Sequence, residues 1–158
     1  GSAVVVEFMD YNCGWCKRAV GEVSQLVEKD KDLKVIFKEF PIFGEDSEYA
    51  ARAALASTRQ GKYWELHRAL YAHEGKVTAE VTDQLAAKVG MDVAKLKKDM
   101  EDPAIQATLA ANRALGQSLG LSGTPAFVID STVIPQYVTI DVLEGEIAKV
   151  RKAGCQFC

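Results

Sequence analysis

The sequence lacks the features that would indicate a membrane-spanning or nucleic-acid-binding protein, and its histidines do not predict a metal site. No apolar run approaches the ~20 residues that a transmembrane helix needs. Neither sign of charge dominates, since 19 basic and 22 acidic residues give a net charge of −3, so nothing favours a nucleic-acid or anionic-membrane partner. The only two histidines, His67 and His73, do not share a face of a predicted helix. We therefore expect no metal site there and place His67 in a helical core.

The length and composition are those of one globular domain with a sizeable core. The 158 residues are 48% hydrophobic and 26% charged, which is ordinary for a globular chain. We find no internal repeat and no low-complexity linker. Because the sequence starts almost directly on a predicted strand, we expect that an upstream segment precedes it in the natural protein.

Two of the four cysteines form a C-x-x-C motif between a predicted strand and a predicted helix. The strand is Val4–Met9, a run of β-branched and aromatic residues with Glu7 as its only charge. Apolar residues then recur at helical spacing, and we place the helix from Gly21 to about Lys31. Cys13 should lie near this junction, where unpaired N–H groups and the helix dipole favour a thiolate. Cysteines in such settings have pKa values of roughly 3.5–7.5, compared with ~8.5 when free.

The spacing of the cysteines predicts a redox pair rather than half of a zinc site. Zinc would need two more ligands from a second Cys or His pair, typically roughly 12–20 residues further on. No Cys or His lies between Cys16 and His67. Cys13 and Cys16, separated by Gly14 and Trp15, are close enough to form a disulfide. The motif therefore predicts an attacking sulfur at Cys13 and a resolving sulfur at Cys16.

The rest of the chain changes from strand to helix and back to strand. Leu33–Phe40 predicts a second strand and completes a βαβ unit. Ala126–Ile129 and Thr132–Pro135, joined by a turn at Asp130–Ser131, predict a hairpin, and Val138–Arg151 predicts a final helix. We expect one α/β domain over residues 1–158, with a helical insertion at about 46–120 and a cysteine-containing tail at 153–158.

Five helices are expected within the insertion. They are Ser47–Gln60, Lys62–Glu74, Glu80–Val89, Asp92–Met100 and Ile105–Leu119. Asp46 or Ser47 is expected to cap the first of them, and Asp92 is expected to cap the fourth. Pro103 is expected to lie beyond the end of that fourth helix.

The order of these motifs resembles a known family. The stretch Val6–Cys16, a helical insertion and Gly123-Thr124-Pro125-Ala126-Phe127 are similar to the DsbA-like branch of the thioredoxin superfamily. Phe37–Ile42 and Tyr49–Ala54 resemble in particular the suppressor-of-copper-sensitivity protein C type of that branch. The resemblance covers nearly the whole chain and implies a thioredoxin-like α/β fold with an inserted helical subdomain.

The resemblance also implies roles for individual residues. Cys13 is the expected nucleophile and Cys16 the resolving cysteine. Thr124 and Pro125 are expected to form a cis-proline loop that binds the substrate polypeptide, and proline is the residue before which a cis bond is inexpensive. The alternative is an ordinary loop that enters a strand. Glu7 matches a buried acid that relays a proton to or from Cys16, and its alternative is a side chain that faces solvent at a sheet edge.

The implied function is thiol–disulfide exchange on exported proteins in the bacterial periplasm, in the oxidase or the isomerase direction. A membrane redox partner would recycle the cysteine pair, no cofactor is implied, and an upstream segment is expected to mediate any oligomer. Gly14-Trp15 replaces the Pro-His of strong oxidants, and Thr124 is typical of isomerases and of reductase-partnered members. The lack of an imidazole between the cysteines implies a less oxidising couple.

Two alternatives stay open. Thiolates of Cys13 and Cys16 are also suitable ligands for Cu(I), so a periplasmic soft-metal-binding protein is the alternative function. For Cys155 and Cys158 we favour a peripheral disulfide or an unpaired tail over a link to another chain or a second thiolate site.

Overall fold

The computed structural model describes residues 2–158 and follows the predicted order of strands and helices. The strands are β1 (Ala3–Met9), β2 (Leu33–Glu39), β3 (Ala126–Ile129) and β4 (Thr132–Ile134). The α-helices are α1 (Gly14–Lys29), α2 (Glu45–Ser57), α3 (Tyr63–Ala72), α4 (Ala79–Lys88), α5 (Val93–Met100), α6 (Pro103–Ser118) and α7 (Ile140–Ala153). Among residues 2–158, no helix is both long enough and apolar enough to span a bilayer.

The four strands form one sheet in the order β2-β1-β3-β4. β1 and β3 are antiparallel, with Glu7 opposite Phe127 and Phe8 opposite Ala126. β3 pairs with β4 across the predicted turn, in which Asp130 has a positive φ of 54° that Asp tolerates better than most residues. β1 therefore lies inside the sheet, and its carboxyl end lies beside the start of β3.

Helix α1 begins at Gly14, well before the predicted start at Gly21. The periodic pattern of apolar residues does not extend over the first turns of the helix, because most residues there are not aliphatic. The predicted start was therefore too late. Cys13 is the N-cap residue of the helix, and its Sγ accepts a hydrogen bond from the backbone nitrogen of Cys16, 3.0 Å away. The sulfur thus satisfies one of the backbone donors that a helix start leaves without an intrahelical partner.

The described chain divides into two compact units. The first contains the described residues up to Met9 together with Cys13–Lys38 and Gly116–Cys158, and the second contains Asp10–Asn12 and Glu39–Leu115. The core of the first unit is formed by side chains from β1, β3, α1 and α7, which are Ala3, Val5, Ala19, Val23, Leu26, Phe127, Ile129, Leu143, Ile147 and Val150. The last three are the buried residues of α7.

The start of α2 differs from the prediction that Asp46 or Ser47 caps it. The N-cap residue is Gly44, with a φ of 93° that favours glycine, and no side chain caps the helix. Both predicted caps bond elsewhere: Ser47 Oγ donates to the Asp10 carboxylate (2.8 Å), and Asp46 accepts a hydrogen bond from the backbone nitrogen of Ala79 (3.1 Å).

The boundary between α5 and α6 confirms the expectations for Asp92 and Pro103. Asp92 caps α5 as predicted, because its Oδ1 accepts a hydrogen bond from the backbone nitrogen of Lys95 (3.0 Å). Pro103 lies beyond the end of α5, as expected, and is also the first residue of α6, which therefore starts two residues before the predicted Ile105. Proline suits that position because its missing N–H would have no intrahelical acceptor there.

The tail carries a disulfide between Cys155 and Cys158, which is one of the two favoured arrangements. Asp130 Oδ1, in the β3–β4 turn, accepts hydrogen bonds from the backbone nitrogens of Gln156 (3.0 Å) and Phe157 (2.8 Å). Cys158 is exposed, so the disulfide is peripheral.

Candidate active site

Cys13 lies at the amino end of α1, and its sulfur contacts two backbone groups. Its Sγ accepts the N–H of Cys16, and its thiol donates to the carbonyl oxygen of Thr124 at 3.4 Å. Cys13 and Cys16 are both in the thiol form, and both are buried. The N–H donor and the positive end of the helix dipole stabilise negative charge on the Cys13 sulfur. This arrangement can hold a nucleophilic thiolate with a second thiol one helical turn away.

The loop before β3 supplies the carbonyl group beside this sulfur. The peptide bond between Thr124 and Pro125 is cis, and Pro125 is buried. Because Phe8 of β1 pairs with Ala126 of β3, the loop lies at the sheet end where β1 also ends. An ordinary loop that enters a strand would not be expected to make this contact with the Cys13 sulfur. The binding of substrate by Thr124 and Pro125 stays a prediction. Thr124 Oγ1 is buried and has no hydrogen-bond partner among the described residues.

Glu7 is a buried carboxyl group inside the sheet. Its exposed fraction is 3%, and β1 lies between β2 and β3. The alternative in which Glu7 faces solvent at a sheet edge is therefore wrong. Its predicted proton relay to Cys16 stays a prediction.

The dipeptide between the cysteines combines an open position with an exposed indole. A Cβ atom added at Gly14 would meet no heavy atom within 4 Å. Trp15 is 55% exposed, and its ring lies 5.1 Å from the ring of Tyr137 between centroids. The Arg18 guanidinium lies over both rings, 5.6 Å and 5.8 Å from their centroids. Trp15, Tyr137 and Arg18 therefore form an aromatic and cationic cluster beside the motif.

Glu22 holds Tyr137 in this cluster. Its Oε1 accepts the Tyr137 hydroxyl (2.8 Å) and its Oε2 accepts the backbone N–H of Ile140 (2.8 Å) at the start of α7. Donation to Glu22 is the largest cause that raises the pKa of Tyr137 above its ordinary value. Sequence reasoning missed Glu22, Arg18 and Tyr137, because one glutamate on the polar face of a helix carries no signal of a partner so distant in sequence.

The second unit contains a buried carboxylate with four donors. Asp10 Oδ1 accepts hydrogen bonds from Asn12 N (2.7 Å) and Ser47 Oγ (2.8 Å), and its Oδ2 accepts from Ile42 N (2.7 Å) and Phe43 N (3.1 Å). Buried carboxylates are tolerated when their lone pairs are satisfied in this way. Asp10 thus fixes the segment that follows β1 to the loop that follows β2.

A second buried acid, Glu39, lies in the same unit among aromatic residues. Its Oε1 accepts the hydroxyls of Tyr11 (2.8 Å) and Tyr63 (3.0 Å), while its Oε2 is buried without a hydrogen-bond partner among the described residues. Burial raises the pKa of Glu39 to about 8, although both hydroxyls lower it. His67 is buried as predicted, its Nδ1 lies 2.9 Å from the Tyr11 hydroxyl, and burial lowers its pKa to about 4.

Comparison with protein families and solved structures gives consistent matches. The model of the DSBA-like thioredoxin domain matches residues 4–148. A thioredoxin-like oxidoreductase from Silicibacter pomeroyi is 43% identical with a TM-score of 0.96, over 98% of this chain and 89% of that one. The thiol-disulfide exchange protein alpha-DsbA2 from Wolbachia pipientis is 30% identical with a TM-score of 0.87, over 95% and 82%. The catalytic domain of Proteus mirabilis ScsC is 29% identical with a TM-score of 0.85, over 96% and 85%.

The chain also matches part of several longer curated proteins. It is 25% identical over 128 residues to Na(+)/H(+) antiporter NhaA 3 of Salinispora tropica, which covers 80% of this chain. The chain spans only about a fifth of the length of that antiporter. The likeness is therefore to one portion of the antiporter.

We expect Glu39→Gln to remove a pH-dependent loss of stability. The pKa of Glu39 is raised from 4.5 to about 8 on folding, so its protonated form stabilises the fold fully below pH ~4.5, and this stabilisation is lost as the pH rises through about 8. The free energy of unfolding of the variant relative to the native chain should therefore increase by several kcal/mol between pH ~5 and ~8.5, at about 1.4 kcal/mol per pKa unit.

Urea unfolding at these two pH values measures the difference. Glu65→Gln is the matched control, because Glu65 is exposed on α3 and the change removes the same charge. Equal pH dependence of the Glu39→Gln and native proteins would contradict the expectation.

Proposed function

The chain belongs to the DSBA-like thioredoxin domain family, as its motifs predicted, and on that basis we propose that it is a thiol–disulfide oxidoreductase acting on proteins. The observation that supports this most directly is the setting of the Cys13 sulfur. It accepts an N–H at the start of α1 and lies 3.4 Å from the carbonyl oxygen of Thr124. A thiolate is stabilised there, and the adjoining backbone of the cis-proline loop can bind an extended substrate chain.

The proposed reaction transfers two electrons between dithiol and disulfide. The Cys13 thiolate attacks one sulfur of a substrate disulfide, the other substrate sulfur leaves as a thiolate and takes up a proton, and a mixed disulfide forms. Cys16, after losing its proton, attacks the Cys13 sulfur and releases the second substrate thiol. The substrate is then reduced and the Cys13–Cys16 pair is oxidised. The reverse sequence oxidises a substrate dithiol.

We expect Cys13→Ser to abolish the reduction of insulin disulfides, because serine cannot form the mixed disulfide. Cys16→Ser should form the mixed disulfide and release it slowly, since the resolving thiol is missing. Turnover and the trapped adduct are measured by turbidity and by non-reducing electrophoresis. A Cys155→Ser/Cys158→Ser variant is the control and should retain the native rate. Full activity of Cys13→Ser would contradict the proposed function.

The direction of electron flow is proposed to be that of an isomerase or reductase. Gly14 and Trp15 provide no imidazole beside Cys13, and Thr124 precedes the cis proline. Strong oxidants owe their potential to stabilisation of the reduced form, and without the imidazole this stabilisation is weaker. The couple is therefore proposed to lie below the ~−120 mV of a strong oxidant.

We expect Trp15→His to raise the reduction potential by roughly 30 mV or more, which is a tenfold change in the exchange equilibrium. A protonated imidazole would stabilise the Cys13 thiolate and hence the reduced form. Equilibration with glutathione buffers in the Cys155→Ser/Cys158→Ser background gives both potentials. Trp64→His, the same change at an exposed position of α3, should leave the potential unchanged. An unchanged or lower potential in Trp15→His would overturn this assignment.

Glu7 is proposed as the proton relay for Cys16, supported by the burial of both side chains in the first unit. We expect Glu7→Gln to slow the resolving step by roughly tenfold or more, since general acid–base catalysis contributes about 100- to 10,000-fold. The rate of mixed-disulfide resolution should also depend less on pH than it does in the native chain. Stopped-flow measurement of that step, with Glu28→Gln on the exposed face of α1 as the control, tests the role. A native pH profile in Glu7→Gln would exclude it.

Exported proteins in the periplasm are the proposed substrates, and a membrane redox partner is proposed to recycle the cysteine pair. A structurally similar protein from Salmonella enterica serovar Typhimurium, 31% identical with a TM-score of 0.85, is described as a periplasmic thioredoxin-like protein. The copper-binding alternative uses the same two sulfurs. Stoichiometric Cu(I) binding that requires Cys13 and Cys16, together with no insulin reduction by the native chain, would favour that alternative.

A further inference from the structure

A cavity of about 380 Å³ opens beside the proposed redox pair. It is lined by residues from the start of α1, the loop before β3 and the segment before α7, which are Trp15, Gly123, Thr124, Pro135, Gln136 and Tyr137. Thr124 belongs both to this lining and to the contact with the Cys13 sulfur. A substrate residue next to the reacting cysteine is therefore within reach of the cavity.

The aromatic wall of this cavity depends on a carboxylate that does not line it. Tyr137 lies in the segment between β4 and α7, which contains no regular structure of its own. Glu22 holds this segment at two points, the hydroxyl of Tyr137 and the backbone N–H of Ile140, both at 2.8 Å. The second bond also satisfies a donor at the start of α7, where Thr139 provides no side-chain cap. Loss of Glu22 would therefore remove two of the contacts that place Tyr137 beside Trp15.

The charge of Arg18 limits what the cavity can accept. Its guanidinium lies over the rings of both Trp15 and Tyr137 and already makes cation–π interactions with them. A second cation beside the same rings would be repelled by Arg18. An uncharged aromatic side chain is favoured instead, since ring–ring contacts add to the gain from burying its area.

We propose that Glu22 is a positioning residue that holds Tyr137 against Trp15 and thereby builds a subsite for an aromatic side chain adjacent to the reactive cysteine of a substrate polypeptide. This inference rests on the proposed oxidoreductase function and specifies its substrate class. Glu22 does not touch the reacting sulfurs. Its effect should be on the choice among substrates and not on the redox couple.

The test uses short peptides that carry one cysteine as a mixed disulfide with glutathione. The peptides differ only in the residue beside the cysteine, which is Phe, Ala or Lys. In each turnover the Cys13 thiolate forms a disulfide with the peptide sulfur and glutathione leaves as a thiolate, which then takes up a proton. Cys16 next displaces the peptide thiol, so the peptide is reduced by two electrons and the Cys13–Cys16 pair is oxidised. An excess of a small dithiol in the assay then reduces the pair and is itself oxidised to a disulfide, which permits the next turnover. The native chain should prefer Phe over Ala by about three- to tenfold in kcat/KM, with Lys below Ala.

Two variants test the positioning role of Glu22. Tyr137→Phe removes only the hydroxyl, and Glu22→Ala removes the acceptor for both bonds. We expect each to lower kcat/KM for the Phe peptide by about three- to tenfold, mainly through KM, while the Ala peptide changes less than about twofold. The double variant should lose little more than either single variant, because both changes break the same hydrogen bond. Glu28→Gln is the control for the loss of one charge on α1.

The outcomes separate this inference from the proposed function. A native chain that reduces the peptides without preferring Phe would overturn the subsite. Equal losses for the Phe and Ala peptides, or a shift of the Cys13–Cys16 reduction potential in Glu22→Ala or Tyr137→Phe, would overturn the positioning role. Tyr137→Phe leaves the hydrogen bond from the Ile140 N–H to Glu22 intact, so the start of α7 is undisturbed in this variant. The positioning role can therefore be tested with Tyr137→Phe even if Glu22→Ala folds poorly. Failure of the native chain to reduce any peptide or insulin would instead contradict the proposed function.

Discussion

The hydrogen bond from the backbone N–H of Cys16 to the sulfur of Cys13 joins the chemistry of the protein to its fold. The bond exists because Cys13 ends the segment after β1 and caps α1, so its sulfur occupies the place of a helix-capping oxygen. The antiparallel register of β1 and β3 then sets where the cis-proline loop begins, and its Thr124 carbonyl meets the same sulfur. One backbone donor, one helix start and one strand register therefore define the candidate site.

The features predicted correctly from the sequence are those with a local physical signal. The position of the C-x-x-C motif between a strand and a helix, the hydrophobic strands and the capping role of Asp92 all follow from neighbouring residues. The expected thioredoxin-like α/β fold, with helices inserted between β2 and β3, is confirmed by the family and structural matches. The start of α1 was missed because its first turns carry few aliphatic residues. The caps proposed for α2 were wrong because Ser47 bonds to Asp10, a partner distant in sequence. Glu22 and Tyr137 are likewise distant in sequence, so no local pattern reveals their contact.

The second unit contains an acid and a base whose titrations have opposite effects on stability. Tyr11 connects them, since its hydroxyl donates to Glu39 and lies 2.9 Å from His67 Nδ1. The raised pKa of Glu39 makes its contribution favourable in acid, whereas the lowered pKa of His67 makes its contribution favourable above pH ~6.5 and lost as the pH falls through about 4. At neutral pH both groups are mainly uncharged in the fold, which is the form that a buried aromatic environment favours.

Because of the open space at Gly14, the residue at this position can change the chemistry of the site without changing the stability of the fold. A Cβ atom at this position would meet no heavy atom within 4 Å, and Trp15 beside it is largely exposed. A substitution at Gly14 is therefore expected to be nearly neutral for folding, because it neither disturbs the core nor needs an unusual backbone conformation. Such a position can vary through evolutionary drift while the scaffold is preserved. Descendants of one ancestral domain could in this way diverge in reduction potential without first acquiring compensating mutations elsewhere.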